Sequence, residues 1–490
     1  MTKQRILYLI LIVATFIRLT TLQNLMVFTP DEEYLAYIAQ TIVKHFHIIW
    51  IGVSALGLDF YMGPFWIYAI YPFIGLTRGN PLVLGVISSS LGLLTILLIY
   101  LVGKTIFDSK VGILAAFMYA TSALIVYYDQ QPYPSGVPLL SLILIFSLIK
   151  TKASNKWWLL FAFAYGLVFH VHLSLFLVGF VSLYWIILNR KPLEQKIILA
   201  SVLVFIITIS PLIAFDYFHK ASNITVPIRI LRSIKEGGKP TNLKYRSLVL
   251  LGSFSRLLYL DSHKNNADEI LYPCNVKEES TATHINWVFS GLVFSAIAMF
   301  LTKKSIWNDH SRRGLLLYCL TFLIPFLFLP VINSVEYYLL GFFPILFLII
   351  AYVSINLKKP LNYLAILLIT AFALHGIYVV FTARGDFGVH TKQKIITETM
   401  SIIGNEPYYL EEKGNCHEAE GWRYLFSYYE RRPERSSEDK IFAWLYPKEV
   451  SDKATRFSVI LKETRSQANI DQGYIYRFEE GGFTAYIYKN

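Results

Sequence analysis

Residues 6–43 read ILYLILIVATFIRLTTLQNLMVFTPDEEYLAYIAQTIV, and this stretch decides the fold. Positions 6–27 form an apolar run of the length that crosses a bilayer as a helix. Lys3 and Arg5 precede the run, Arg18 interrupts its far end, and no small-x-small cleavage site follows, so it reads as a retained first helix. Pro30 then opens a second helix, with apolar residues at 35, 38, 39 and 42 and with Tyr34 and Tyr37 nearby. Asp31, Glu32 and Glu33 fall in its first turn, where the helix-end amides favour negative charge. A membrane span followed at once by a short amphipathic helix is the signature of a juxtamembrane element.

Working outward, spans are expected at 6–27, 81–102, 111–128, 135–150, 157–169, 172–188, 197–215, 286–301, 314–331, 338–356 and 361–381. Connectors on one side carry Lys3 and Arg5, Lys104 and Lys110, Lys150, Lys152 and Lys156, Arg190, Lys191 and Lys196, Lys303, Lys304, Arg312 and Arg313, and Lys358 and Lys359. Clustered lysine and arginine mark that side as cytoplasmic. The stretch 61–76, YMGPFWIYAIYPFIGL, would flip every later connector if it crossed. It is therefore expected as an interfacial helix with aromatic anchors.

The fold class expected is an all-α polytopic membrane bundle of about 11 transmembrane helices with juxtamembrane helices in the first outer loop, plus a small C-terminal α+β domain. Its organisation is a transmembrane domain at 1–383, with a first outer loop at 29–80 and a long outer loop at 216–285, and a soluble extracytoplasmic domain at 384–490. After Arg384 charges become dense, as in YYERRPERSSEDK, and alternating segments such as RFSVILKE, GYIYRFEE and FTAYIYKN predict strands.

Composition agrees with a lipid-solvated chain: 55% of residues are hydrophobic, 16% are charged and mean hydropathy is +0.47. Runs that do not alternate exclude a porin-like barrel. The net charge of +12 sits at the ends of apolar segments, so it orients the protein and does not imply a nucleic-acid partner. Cys274, Cys319 and Cys416 lack metal-ligand spacing, and a Cys274 to Cys416 bridge requires two distant segments to meet.

The strongest chemical signal is the acidic triplet. Adjacent carboxylates at a lipid interface repel unless a cation, a metal or an acceptor hydroxyl compensates them. The bland alternative is a solvated helix start. His45 and His47 follow the same helix and, with Asp31, are weak candidates to approach a magnesium or manganese ion. Arg18 is costly in hydrocarbon unless paired, and either orients Asp31 or meets a phosphate. Arg78, Arg229 and Arg232 are further cationic candidates. His170 and His172 lie at a turn between two short spans. Glu336 and Tyr337 sit at the outer mouth of a late span, where they would face sugar hydroxyls or an ordinary interface.

The order of first span with Arg18-Leu19, then Pro30-Asp31-Glu32, resembles the dolichyl-phosphate-mannose protein mannosyltransferases and their bacterial relatives, the aminoarabinose transferases, within the GT-C superfamily. The likeness continues in FDSKVGILAAFMYATSALIVYYDQQPYPSG at 107–136 and in EYYLLGFFPILFLI at 336–349. It implies an inverting transfer of a sugar from a polyprenyl-phosphate donor to an extracytoplasmic lipid, glycan or protein hydroxyl. In that picture Asp31 is the base, Glu32 its neighbour, and Asp129 a further catalytic acid beside Tyr127 and Tyr128. Tyr34, Asp59, Tyr61, Tyr128, His170, His172, Glu336, Tyr337 and Arg18 then line the substrate site. The second family motif is altered here: Asp59-Phe60-Tyr61-Met62-Gly63-Pro64 has one proline and no lysine, so phosphate contacts must come from elsewhere. The expected location is a prokaryotic plasma membrane, with the amino terminus inside and the site outside. A polytopic transporter or a polyprenyl-linked glycan ligase are the competing classes; the transporter would place its ionisable residues near the midplane, whereas most acids here cluster at one surface.

Overall fold

The computed structural model of the chain describes residues 3–54, 59–132, 135–189, 194–235, 242–260, 285–329, 335–413, 421–451, 453–464, 466 and 468–490. Helix α1 (Lys3–Leu25) leads into α2 (Pro30–Lys44) and α3 (Phe65–Leu76), followed by α4 (Leu82–Ile106), α5 (Ser109–Thr121) and α6 (Ala123–Gln130). Next come α7 (Gly136–Lys150), α8 (Trp157–Val171), α9 (Val178–Asn189), α10 (Gln195–Phe218), α11 (Ser222–Lys235) and α12 (Leu243–Leu258). The bundle closes with α13 (Trp287–Thr302), α14 (Lys304–Asn308), α15 (His310–Phe328), α16 (Phe343–Ile355) and α17 (Leu361–Thr382).

The expectation of about 11 transmembrane helices is corrected. Among the described residues five helices, α1, α4, α10, α15 and α17, are long and apolar enough to cross a membrane, or six if α5 and α6 count as one span bent by 72°. Helices α7 and α8 have 15 residues each. At the α-helical rise that is about 22 Å, short of a hydrocarbon core of about 30 Å. The run expected as a single span at 111–128 breaks at Ser122, whose backbone turns extended and whose hydroxyl donates to the Leu257 carbonyl at 2.8 Å. Another break falls at His172, also extended, which ends α8.

Hydropathy overcounts because it senses an apolar neighbourhood without telling lipid from protein. Every residue of α16 from Phe343 to Ser354 is buried, so this is a core helix wrapped by its neighbours. Helix α10 is the opposite case, with Leu199, Ile207 and most of its apolar side chains facing outward. The protein is thus a multi-pass membrane protein with several apolar helices that serve as internal packing. Helices α2 and α3 form a pair on one end of this bundle, α3 being too short to cross.

The carboxyl-terminal part is built from α18 (Val389–Ile403), β1 (Tyr408–Lys413), α19 (Trp422–Tyr429), β2 (Arg435–Ser436), α20 (Asp439–Phe442), β3 (Phe457–Glu463), β4 (Tyr476–Glu480) and β5 (Phe483–Lys489). Its five strands are ordered β2-β1-β3-β5-β4. The β1 strand pairs in parallel with β2 and β3, whereas β5 is antiparallel to β3 and β4. Alternation in β1, with Tyr408 and Leu410 inward, follows the strand period.

Among the described residues the apolar side chains gather into two large clusters. One fills the bundle. The other joins the sheet residues Val459, Leu461, Ala485 and Ile487 to Phe28, Leu35, Tyr37, Ile38 and Ile42 of the first outer loop, and to Ile67, Ile70 and Ile74 of α3. The sheet and the juxtamembrane helices therefore share a single core. Of the three cysteines, Cys319 is buried as a free thiol, and the Cys274 and Cys416 pairing falls outside the described residues.

Candidate active site

The acidic triplet at the start of α2 separates into three roles. Thr29 caps the helix: its hydroxyl accepts from the Asp31 amide at 3.3 Å, and the Glu32 carboxylate reaches back to the Thr29 amide at 2.8 Å. Glu32 also takes the Thr29 hydroxyl. It is buried, and that burial together with the charge of Asp31 pushes its carboxyl up to about 7. Glu33 turns the other way, into the shared core, where it accepts from the Tyr424 amide at 2.8 Å. Burial and the facing Glu438 carboxyl hold Glu33 well above the usual carboxylate range. Asp31 alone of the three is exposed. A 3.6-residue turn accounts for this division, because consecutive positions point about 100° apart.

Arg18 and Asp129 meet each other. The Arg18 guanidinium contacts Asp129 Oδ2 through Nη2 at 2.6 Å and Nε at 3.0 Å, and Nη1 donates to the Ala120 carbonyl at 3.1 Å. Tyr119 donates to the other oxygen of Asp129 at 3.2 Å. Both charges are fully enclosed, with side-chain exposures of 0% and 2%. The next two residues continue the seam: Gln130 donates to the Arg18 carbonyl and the Thr21 hydroxyl, each at 2.8 Å, and Gln131 donates to the Leu25 carbonyl while accepting from the Val27 amide. The geometry makes Asp129 the clamp that fixes α6 to α1.

A second charged group lies where α6, α12 and the 336–339 turn converge. Tyr128 donates to Glu336 Oε1 at 3.1 Å, and Arg256 Nη2 stands 3.5 Å from the same oxygen. Glu336 and Arg256 are both buried, at 3% and 6% exposure. Glu336 and Tyr128 were legible in the sequence, whereas Arg256 was not singled out. Its signal was a lone cation in SLVLLGSFSRLL at 247–258, set among small residues that leave room around it. Tyr337 and Tyr338 pack edge-on to the His172 ring at 5.7 and 5.3 Å.

His170 and His172 are both buried but take different work. His170 Nε2 pairs with the Thr208 carbonyl at 2.8 Å, and its ring lies against the Gly63–Phe65 backbone, accepting at Nδ1 from the Phe65 amide at 3.4 Å. His172 Nδ1 accepts from the Ser174 amide at 3.1 Å. The first outer loop reaches the same rim through Tyr61, whose amide donates to Asn223 Oδ1 at 2.7 Å and whose ring meets Phe215 edge-on. Partial burial and the nearby Asp59 carboxylate raise the Tyr61 hydroxyl. Half-buried Tyr34 donates to the Gly52 carbonyl at 3.3 Å, and burial pushes its hydroxyl up to about 12. Arg78, Arg229 and Arg232 are exposed.

His45 and His47 lie at the far end of α2, His45 forming its carboxyl-terminal cap. From Asp31 to His45 is 14 helical steps, about 21 Å, so these residues do not converge on one ion. Among the described residues no group of three His, Cys, Asp or Glu side chains is arranged to hold a metal.

Comparison with known proteins places this geometry in a wider setting. Residues 62–215 match the family model described as dolichyl-phosphate-mannose-protein mannosyltransferase. That segment includes Tyr128, Asp129, His170 and His172 and begins after Asp31. No curated protein matches the chain. Among solved structures, ArnT from Cupriavidus metallidurans bound to undecaprenyl phosphate superposes with a TM-score of 0.62 at 10% identity, covering 98% of this chain and 97% of that one. The archaeal oligosaccharyltransferase AglB from Archaeoglobus fulgidus, in complex with an inhibitory peptide and a dolichol-phosphate, gives 0.52 at 12% identity over 94% of this chain and 69% of that one. At such identities what is shared is the fold.

Proposed function

We propose that this chain is a membrane glycosyltransferase of the GT-C type that moves a sugar from a polyprenyl-phosphate donor to an extracytoplasmic hydroxyl. The observation that carries this reading is the exposure of Asp31. Its two acidic neighbours are committed to capping and to the shared core, whereas the Asp31 carboxylate stays on the surface at the start of α2. The likeness to ArnT bound to undecaprenyl phosphate, over nearly the full length of both chains, supports the donor class.

In the proposed reaction the acceptor oxygen attacks the anomeric carbon while its proton passes to the Asp31 carboxylate. The bond between that carbon and the phosphate oxygen breaks, configuration inverts, and polyprenyl phosphate departs as an anion. A positioned base of this kind contributes about 10²–10⁴-fold. Departing charge calls for a cation. Arg18 is held by Asp129 through two hydrogen bonds, the shorter at 2.6 Å, whereas Arg256 stands 3.5 Å from Glu336, so we assign this role to Arg256.

The proposed orientation puts Lys3 and Arg5 in the cytoplasm and α2 with the sheet domain outside, supported by the lysine-rich connectors and by the core that α2 and the sheet share. The acceptor, whether lipid, glycan or protein, presents a hydroxyl on that outer side. The test is transfer from a radiolabelled polyprenyl-phosphate sugar in proteoliposomes. Asp31→Asn is expected to lower kcat by at least about 100-fold while donor binding is retained. Full turnover by the well-folded variant would remove Asp31 from the chemistry.

A further inference from the structure

The residue that holds the start of α2 most extensively comes from the far end of the sequence. Tyr424, in the first turns of α19 and 1% exposed, donates its backbone N–H to Glu33 Oε1 at 2.8 Å. Its hydroxyl donates to the Gly79 carbonyl at 2.8 Å and accepts from Gln40 Nε2 at 3.0 Å. Its ring stacks on Phe28 at 5.5 Å and receives Tyr37 edge-on at 5.1 Å. One residue, through its amide and its side chain, thus touches the link that enters α2, three successive turns of α2 itself, and the loop that leaves α3.

The backbone is shaped to allow this. Gly421 has φ +77°, and a Cβ there would come within 2.6 Å of the Phe28 ring and 2.9 Å of its carbonyl oxygen. Gly79 has φ +87°, and a Cβ there would meet Gln40 Nε2 at 2.7 Å and the Tyr424 hydroxyl at 3.2 Å. Left-handed backbone and close approach both call for glycine. The link before α2 is pinned from the same side: Lys392 Nζ donates to the Phe28 carbonyl at 3.0 Å, and the Val389 amide donates to the Met26 carbonyl at 3.0 Å.

We propose that Tyr424 is a positioning residue for Asp31, so that the carboxyl-terminal domain is part of the catalytic apparatus and sets the angle at which α2 presents its base. This rests on the reading of Asp31 as the base. Asp31 lies two residues before Glu33, the first of the α2 residues that Tyr424 contacts, and on the same helix as Tyr37 and Gln40, so the clamp fixes the helix that carries it. A carboxylate displaced by about 1 Å from its productive position loses about 100-fold in rate. Binding of the donor, which depends on the bundle rim, is not routed through this clamp.

The experiment compares Tyr424→Phe, Tyr424→Ala, Asp31→Asn and a control, Ile460→Ala, which removes a buried side chain of β3 outside the cluster that joins the sheet to α2. Each full-length protein is assayed at a fixed interval below its own Tm. Tyr424→Phe keeps the ring and the amide but loses both hydroxyl contacts, and kcat is expected to fall about 10-fold; Tyr424→Ala is expected to lose about 100-fold. Donor KM should stay within about twofold of wild type in both. Ile460→Ala, destabilised to a similar degree, should retain wild-type kcat. The proposal is overturned if the Tyr424 variants match wild-type kcat while Asp31→Asn is inactive, or if Ile460→Ala loses kcat in parallel with them. Should Tyr424→Ala fail to fold, the phenylalanine variant decides the matter alone. Unimpaired turnover by Asp31→Asn would instead overturn the reading of Asp31 and the clamp with it.

Discussion

Replacing Asp129 by alanine tests whether the Arg18 pair is architecture or chemistry. The carboxylate receives two bonds from Arg18 and one from Tyr119 inside a site closed to solvent. Its removal strands a guanidinium left with the Ala120 carbonyl at 3.1 Å and the Ala14 carbonyl at 3.4 Å. Removing one member of a buried pair costs about 3–5 kcal/mol, because the surviving charge keeps its desolvation penalty and loses its compensation. Unfolding entropy scales with chain length, so for a chain of this size that loss corresponds to a Tm lower by about 3–5 °C. The companion variant Arg18→Met is expected to suffer similarly. The double variant, Arg18→Met with Asp129→Leu, should recover much of the loss, because two apolar side chains replace two charges. Thermal unfolding of the detergent-solubilised proteins, followed by tryptophan fluorescence, gives the cycle; transfer assays below Tm give kcat. An Asp129→Ala protein with unchanged Tm and a collapsed kcat would refute the reasoning, since that pattern belongs to a group that meets substrate and not to a clamp between α1 and α6.

Two further outcomes follow from the rim and from α2. The Glu32 carboxyl, at about 7 in the folded protein against 4.5 ordinarily, holds a proton between those values that the unfolded chain has released. The folded state therefore gains stability as pH falls from 7 toward 4.5, and Tm measured across that window should rise less steeply in Glu32→Gln than in wild type; an identical slope would show that Glu32 does not carry the proton. Arg256→Lys keeps a charge but loses the planar fork, and donor KM is expected to rise about tenfold or more, the equivalent of one charge-assisted hydrogen bond. Unchanged donor KM with a normal Tm would take Arg256 out of the phosphate site.

Much of the site could be read in advance as residue types and not as partners. The acids at 31–33, Arg18, Asp129, Tyr128 and Glu336 all stand out as polar groups beside apolar runs. Which of them pair is a matter of distance in space: Arg18 lies 111 positions from Asp129, and Tyr128 lies 208 from Glu336. Arg256 and Tyr424 are not legible in the sequence, because one arginine in a mixed helix and one tyrosine among 33 carry no local pattern.

The amino-acid sequence by itself determined the membrane class, the helical bundle, the Thr29 and Glu32 start of α2 and the strand-forming tail. Each of these is fixed by local rules: apolar length, helix capping, and alternation with a period of two. Tertiary structure alone decided how many helices are long enough to cross, that α16 is wrapped in protein, which acid stays exposed, and that the sheet and the first outer loop share a core. Those outcomes depend on what packs against each face. A leucine meets lipid and protein with nearly the same free energy, so composition cannot tell the two surroundings apart, and only the assembled neighbours can.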